Sequence, residues 1–204
     1  MNDIPRHSFD DKSPIPQEES EHLLLNISTQ GELNLAEAEN LDKALLKFSN
    51  LKRKKTCSSL LKVSFAKKLH KECFGNVWNW AGKFRKISTQ PGIYWREIPS
   101  SLDLLMKNTL TKIDFIPKYS DIEYREKIIA EFAYRLVYIH PFRNGNGRWS
   151  RAYADILADS LNIKRFGWGL SITKEVERHT EMVNSLQLAD FTNNIDPFLD
   201  WAKK

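Results

Sequence analysis

Residues 140–151 read HPFRNGNGRWSR, and nearly every residue type in that dozen can do chemistry on a phosphate. An imidazole such as His140 can take a proton near neutral pH. Guanidinium groups such as Arg148 and Arg151 bind phosphate through paired hydrogen bonds, and three-residue spacing puts both on one face of a helix. Gly145 and Gly147 let the backbone approach an anion closely. If the GNG segment opens a helix, its unpaired N–H groups and partial positive charge form an anion site, to which Asn146 adds a side-chain donor. Such a clamp suits the outer phosphates of a nucleoside triphosphate, with His140 placed as general base for an approaching hydroxyl. No Gly-Lys-Ser/Thr follows, which argues against P-loop chemistry. Taken singly, each feature has an ordinary reading: a core histidine, a turn, a solvated helix face. Only the combination points to a nucleotide.

The flanking sequence supplies elements to position these groups. Ile129, Phe132, Ala133, Leu136, Val137 and His140 share one face of a long helix, which Ser120 and Glu123 cap and Pro141 ends. A second helix follows the glycines over RWSRAYADILADSL. Upstream, Asn34 and Glu37 form a capping pair before LAEAENLDKALLKF. LLKVSFAKKLHKECF carries Leu61, Phe65 and Leu69 at helical spacing. Residues 102–113 are helical, and two more helices close the chain, within 173–189 and from Asp196-Pro197 onward. Between them, β-prone pieces flank Pro91-Gly92 and predict a short hairpin. The fold class is therefore mostly α with one β-hairpin. Residues 1–27, holding Pro5, Pro14 and Pro16, form an irregular arm before one domain over 28–204.

Composition sets the outer bounds. A chain of 204 residues with 41% hydrophobic content can bury one substantial core. No apolar run approaches the roughly 18 residues that span a bilayer. Cys57 and Cys73 are too few for a disulfide framework or a zinc site, which fits a reducing cytoplasm or delivery into a host cell. The net charge of +5 gives weak attraction to anions. No aromatic residue interrupts the run Lys52-Arg53-Lys54-Lys55, so it is read as a solvated linker and not as a nucleic-acid site.

HPFRNGNGRWSR resembles the signature of the Fic (Fido) family, HPFx(D/E)GNGRxxR, at His140, Pro141, Phe142, Gly145, Asn146, Gly147, Arg148 and Arg151. FGNVWNWAGKFR, GIYWREIP and FAYRLVYIHPF resemble the mobile mystery protein B branch, so the likeness runs from about residue 28 onward. It implies a Fic-type helical domain and transfer of AMP from ATP to a Ser, Thr or Tyr hydroxyl of a target protein. By the same resemblance, His140 is the catalytic base and Phe142 anchors the loop. Gly145, Asn146 and Gly147 hold the α-phosphate, Arg148 and Arg151 the outer phosphates, and the hairpin is a flap that clamps the target.

The sequence departs from that pattern in three places. Asn144 stands where the family has a carboxylate to bind Mg²⁺, and an amide oxygen is a neutral, weaker ligand for it. Ser28 and Glu32 have the S-xxx-E spacing of the family's inhibitory helix, but Leu33 follows where Gly or Asn is usual. Thr180-Glu181-Met182 stands where tyrosines often face the base, which leaves base preference open. Two further readings therefore stand beside adenylyl transfer. One is a non-catalytic nucleotide-binding module paired with an antitoxin-like partner; the other is a transferase using a different phosphate-containing donor.

Overall fold

The structure, a computed structural model, describes residues 12–49, 56–115 and 122–204. Nine α-helices run through these residues: α1 (Gln17–Ser20), α2 (Gln30–Ser49), α3 (Cys57–Leu60), α4 (Val63–Phe74), α5 (Ile98–Asp114), α6 (Ile122–Ile139), α7 (Asn146–Ser160), α8 (Glu175–Thr192) and α9 (Asp196–Lys203). The Lys52–Lys55 run and Ser120 lie outside the described residues.

α7 lies between two apolar clusters because its sides carry different residues. Trp149 and Tyr153 pack into the cluster built from α2 to α5, and both are fully buried. Ala154 and Ala158 are small, so α6, α8 and α9 can close on the other side, where Ile129, Ala133, Phe198 and Trp201 meet them. Each large side chain buried this way contributes about 1.5–3 kcal/mol. Their polar atoms are satisfied: Trp149 Nε1–H donates to the Ala66 carbonyl at 3.2 Å and the Tyr153 hydroxyl to the Leu60 carbonyl at 2.5 Å. The helix that starts at the glycines is thereby fixed at its first turn.

The structure starts α2 five residues before the expected Leu35. Thr29 and Glu32 form the capping box, with Glu32 Oε2 accepting from the N–H groups of Ser28 (2.9 Å) and Thr29 (3.1 Å). Thr29 Oγ1 accepts in turn from Glu32 N–H at 3.3 Å. This frame leaves Asn34 and Glu37 inside the helix and frees Glu37 from capping. Gly31 in the first turn costs only about 1 kcal/mol against alanine, less than the reciprocal cap supplies.

The expected hairpin is absent. Among the described residues no strand forms around Pro91, and Phe84 pairs with Phe142 in a single isolated bridge. The carbonyls of Ile87 and Ile93, which a hairpin ladder would use, both accept from the Arg85 guanidinium at 2.6 Å. Residues 12–27 are also more ordered than an irregular arm. Leu24 N–H bonds the Val77 carbonyl at 2.8 Å, and Asn79 N–H bonds the His22 carbonyl at 3.0 Å.

Candidate active site

His140 follows the last turn of α6. Its N–H still bonds the Leu136 carbonyl at 3.1 Å, but its own backbone turns to φ +50°. That left-handed geometry is uncommon for a residue with a Cβ. The spacing made His140 the end of the buried stripe; the structure instead sets it one residue past the helix and half-buried, while Leu136 is fully buried. Its Nδ1 lies 3.2 Å from the Val137 carbonyl, which can only accept. Nδ1 therefore carries a proton, and in the neutral ring the lone pair is on Nε2.

The loop after His140 takes its shape from side chains bonded to its backbone. Phe142 is fully buried against His70, Phe84 and Trp149, with the His70 ring stacked on it at 3.7 Å. Asn146 is buried, accepting from Phe142 N–H at 2.9 Å and donating to the Phe142 carbonyl at 2.8 Å. Its side chain thus shapes the loop, and what it offers outward is its first-turn backbone N–H, beside those of Gly147 and Arg148. Gly145 sits at φ +75° with the Phe74 ring beneath it. His70 closes the arrangement: Gly82 N–H donates to its Nδ1 at 3.0 Å, so its Nε2–H donates to the Asn144 carbonyl, also at 3.0 Å. Burial pushes the His70 pKa down to about 3 and keeps the ring neutral. Neither His70 nor the buried Arg85 was singled out from the sequence. The available signal for His70 was its place beside Leu69 and Cys73 on the buried side of α4.

The two motif arginines leave α7 toward different neighbours. Arg148 Nη1 donates to Glu37 Oε2 at 2.9 Å, and its guanidinium lies 5.2 Å above the Phe74 ring. Glu37 is 3% exposed, and its other oxygen accepts from Trp78 Nε1–H at 2.7 Å. Arg151 reaches toward α8, where Met182 Sδ lies 3.6 Å from its Nη1. Burial pushes the Arg151 pKa down to about 10, and the Arg148 charge adds to the shift. Two cations thus lie within two turns of the N-terminus of α7.

Residues 60–158 match the Fic/DOC family, and the matched span contains the whole 140–151 stretch. Over that span the chain is similar to Fic/DOC proteins. It is 27% identical over 135 residues to the Probable protein adenylyltransferase y4lH of Sinorhizobium fredii, covering 65% of this chain and 67% of that protein. It is 31% identical over 118 residues to the Protein adenylyltransferase Fic of Aedes aegypti, covering 58% of this chain and 22% of the mosquito protein, so it spans about a fifth of that relative. The N-terminal Fic domain of a VirB-translocated Bep effector from Bartonella quintana superposes with a TM-score of 0.69 at 20% identity, over 96% of this chain and 89% of that one. BepC of Bartonella tribocorum, solved with bound AMPPNP, gives 0.67 at 17% identity, over 96% and 93%. These likenesses establish a mostly α, Fic-type helical fold. Among the described residues, no helix is long and apolar enough to cross a membrane.

Two parts of the Fic/DOC pattern meet different geometry here. Asn144 Oδ1 accepts from Gly145 N–H at 2.7 Å and its main-chain oxygen accepts from His70, so both of its oxygens already serve the loop. Among the described residues no group of three His, Cys, Asp or Glu could hold a metal ion. This donor set does not fit magnesium. Glu32, the inhibitory candidate with Ser28, is held in the α2 cap, where the backbone N–H of Ser28, then that of Thr29, lowers its pKa. The carboxylate that does reach a motif arginine is Glu37, one turn and a half further along α2.

Proposed function

We propose that the protein is an adenylyltransferase that moves AMP from ATP to the hydroxyl of a Ser, Thr or Tyr on a target protein. The observation that carries this reading is the tautomer and position of His140. Its Nε2 lone pair is held just past the end of α6, six residues before the first residue of α7. In the proposed step the target oxygen attacks the α-phosphorus and the bond from that phosphorus to the α–β bridging oxygen breaks. Pyrophosphate leaves, and the hydroxyl proton passes to Nε2. The N–H groups of Asn146 and Gly147 face the α-phosphate, and Arg148 and Arg151 hold the outer phosphates. The names of the relatives from S. fredii and A. aegypti support the same chemistry, as does the AMPPNP in BepC. The sequence stretches 74–85, 92–99 and 132–142 support the mobile mystery protein B branch.

Because the base acts on the incoming hydroxyl, His140→Ala should lower transfer by about 10²–10⁴ and leave ATP affinity nearly unchanged. Incubation of both proteins with α-labelled ATP and cell lysate tests this. Label on protein with the wild type and none with the variant is the expected result. Label from γ-labelled ATP instead would assign phosphate transfer. That second reading draws on Asn144, whose amide stands in the place of the carboxylate usual in the signature. Affinity and melting temperature falling together in the variant would make His140 a core residue.

A further inference from the structure

Arg85 is an unusual cation among the described residues. It is 4% exposed, and among the described residues no carboxylate pairs with it. Its guanidinium bonds all go to main-chain oxygens. Nε–H donates to the His140 carbonyl at 2.6 Å, Nη1 to Ile87 at 2.6 Å, and Nη2 to Ile93 at 2.6 Å and Ile139 at 3.3 Å. Its own N–H bonds the Pro141 carbonyl at 3.0 Å. Removing an ion from water without a counter-ion is costly. Here the compensation comes from oriented dipoles: the carbonyls of 139 and 140 form the negative end of α6. The five donors of a guanidinium diverge in one plane, so they can reach separate segments at once, as the three donors of an ammonium on one nitrogen cannot.

Those segments are the end of α6, His140 itself, and both sides of the loop 87–93. A Cβ on Gly92, at φ +143°, would lie 2.6 Å from Arg85 Nη2, 2.6 Å from Thr89 Oγ1 and 3.2 Å from His140 Cβ. The loop therefore rests directly on the base, with Arg85 beneath both. We propose that Arg85 is a positioning residue: it holds the loop 87–93 in fixed register with His140, so that a hydroxyl lying along the loop meets Nε2. This rests on the adenylyl-transfer reading. Arg85 does not touch nucleotide in this assignment, because its donors are turned to the loop and to α6.

Arg85→Lys tests the assignment, since it keeps the charge and removes the fork. At saturating ATP, the rate of label transfer to protein should fall about 10²-fold, the order expected when a reacting group is misplaced by an ångström. ATP affinity by calorimetry should stay within twofold. Hydrogen exchange should accelerate in residues 86–95 and not in α7. Gly92→Ala, which crowds the fork without removing it, should reproduce both changes, and it serves alone if Arg85→Lys does not fold. Unchanged transfer and exchange would overturn the proposal. So would a parallel loss of ATP affinity and transfer, which marks Arg85 as part of the general scaffold. If the wild type transfers no label, adenylyl transfer is wrong. The positioning role is then decided by exchange and the His140 ring resonance: faster exchange confined to 86–95 with a shifted ring signal upholds it, and no change in either overturns it.

Discussion

Gly145 and Gly147 stand two residues apart in opposite surroundings. A Cβ on Gly145 would lie 2.6 Å from the Phe74 ring, and its backbone is left-handed at φ +75°. A Cβ on Gly147 would meet only Arg151 Nη1, at an ordinary 3.6 Å. The first glycine is required by the fold, because nothing larger fits between the loop and the core. Among the described residues no contact requires the second, and in the adenylyl-transfer reading its smallness leaves room for the nucleotide. The same division runs through the whole stretch. From His140 to Asn146, side chains and backbone are bonded to fixed partners in the protein. From Gly147 to Arg151, the arginines rest on partners that a ligand can replace, a carboxylate and a thioether.

Breaking that comparison calls for the same substitution at both glycines. Gly145→Ala must displace the Phe74 ring and adopt a left-handed backbone, which together cost roughly 2–5 kcal/mol. Gly147→Ala should leave stability unchanged or raise it by up to about 1 kcal/mol, because alanine favours helix. Its methyl group would stand between the helix N-terminus and Arg151, so ATP binding should weaken while the melting temperature holds. Denaturant melts and calorimetric titration of both variants give the comparison directly. Equal losses of stability in the two would remove the division between scaffold and site.

Acid should act on the fixed half through His70. The His70 pKa is pushed down to about 3 in the fold and is about 6.5 in the unfolded chain. The folded value is the lower one, so the stability due to neutral His70 is fully present above pH 6.5 and is lost as pH falls toward 3. At pH 5 the loss is about 2 kcal/mol. His70→Gln keeps one donor and one acceptor without the titration. Its stability should therefore change less between pH 7 and pH 5 than that of the wild type. A slope as steep as the wild type's would place the acid sensitivity elsewhere.

What the sequence made legible follows from the range of each interaction. The order of the helices and the twelve-residue stretch depend on local patterns, and Trp149 and Tyr153 are buried as their places in α7 predict. The capping frame of α2 was displaced by five residues because Thr29/Glu32 and Asn34/Glu37 have the same spacing, and only packing against Trp78 and Arg148 distinguishes them. The hairpin failed for a non-local reason: Arg85 binds the carbonyls that the ladder needed, and its other partners lie 54 and 55 residues away. His70 was missed likewise, since its bond to Asn144 spans 74 residues. No local periodicity encodes such pairs.

The exchangeable half is tested most gently at Glu37. Its carboxylate is buried, shared between Trp78 Nε1–H and Arg148, and a phosphate reaching Arg148 Nη1 competes with it. Arg148→Ala alone is a poor probe, because it leaves a buried carboxylate without its cation and lowers stability for that reason. Glu37→Gln keeps the shape and an oxygen for Trp78 while removing the charge that holds Arg148. A charge-assisted bond exceeds a neutral one by about 1 kcal/mol, so triphosphate binding should tighten roughly fivefold. The gain must run through Arg148. Adding Arg148→Ala to Glu37→Gln should therefore abolish it and weaken binding about tenfold relative to Glu37→Gln, with little further loss of stability. If Glu37→Gln weakens binding instead, Glu37 aims Arg148 at the phosphates and does not compete with them. Then this arginine belongs with the fixed half of the stretch, and only Arg151 remains exchangeable.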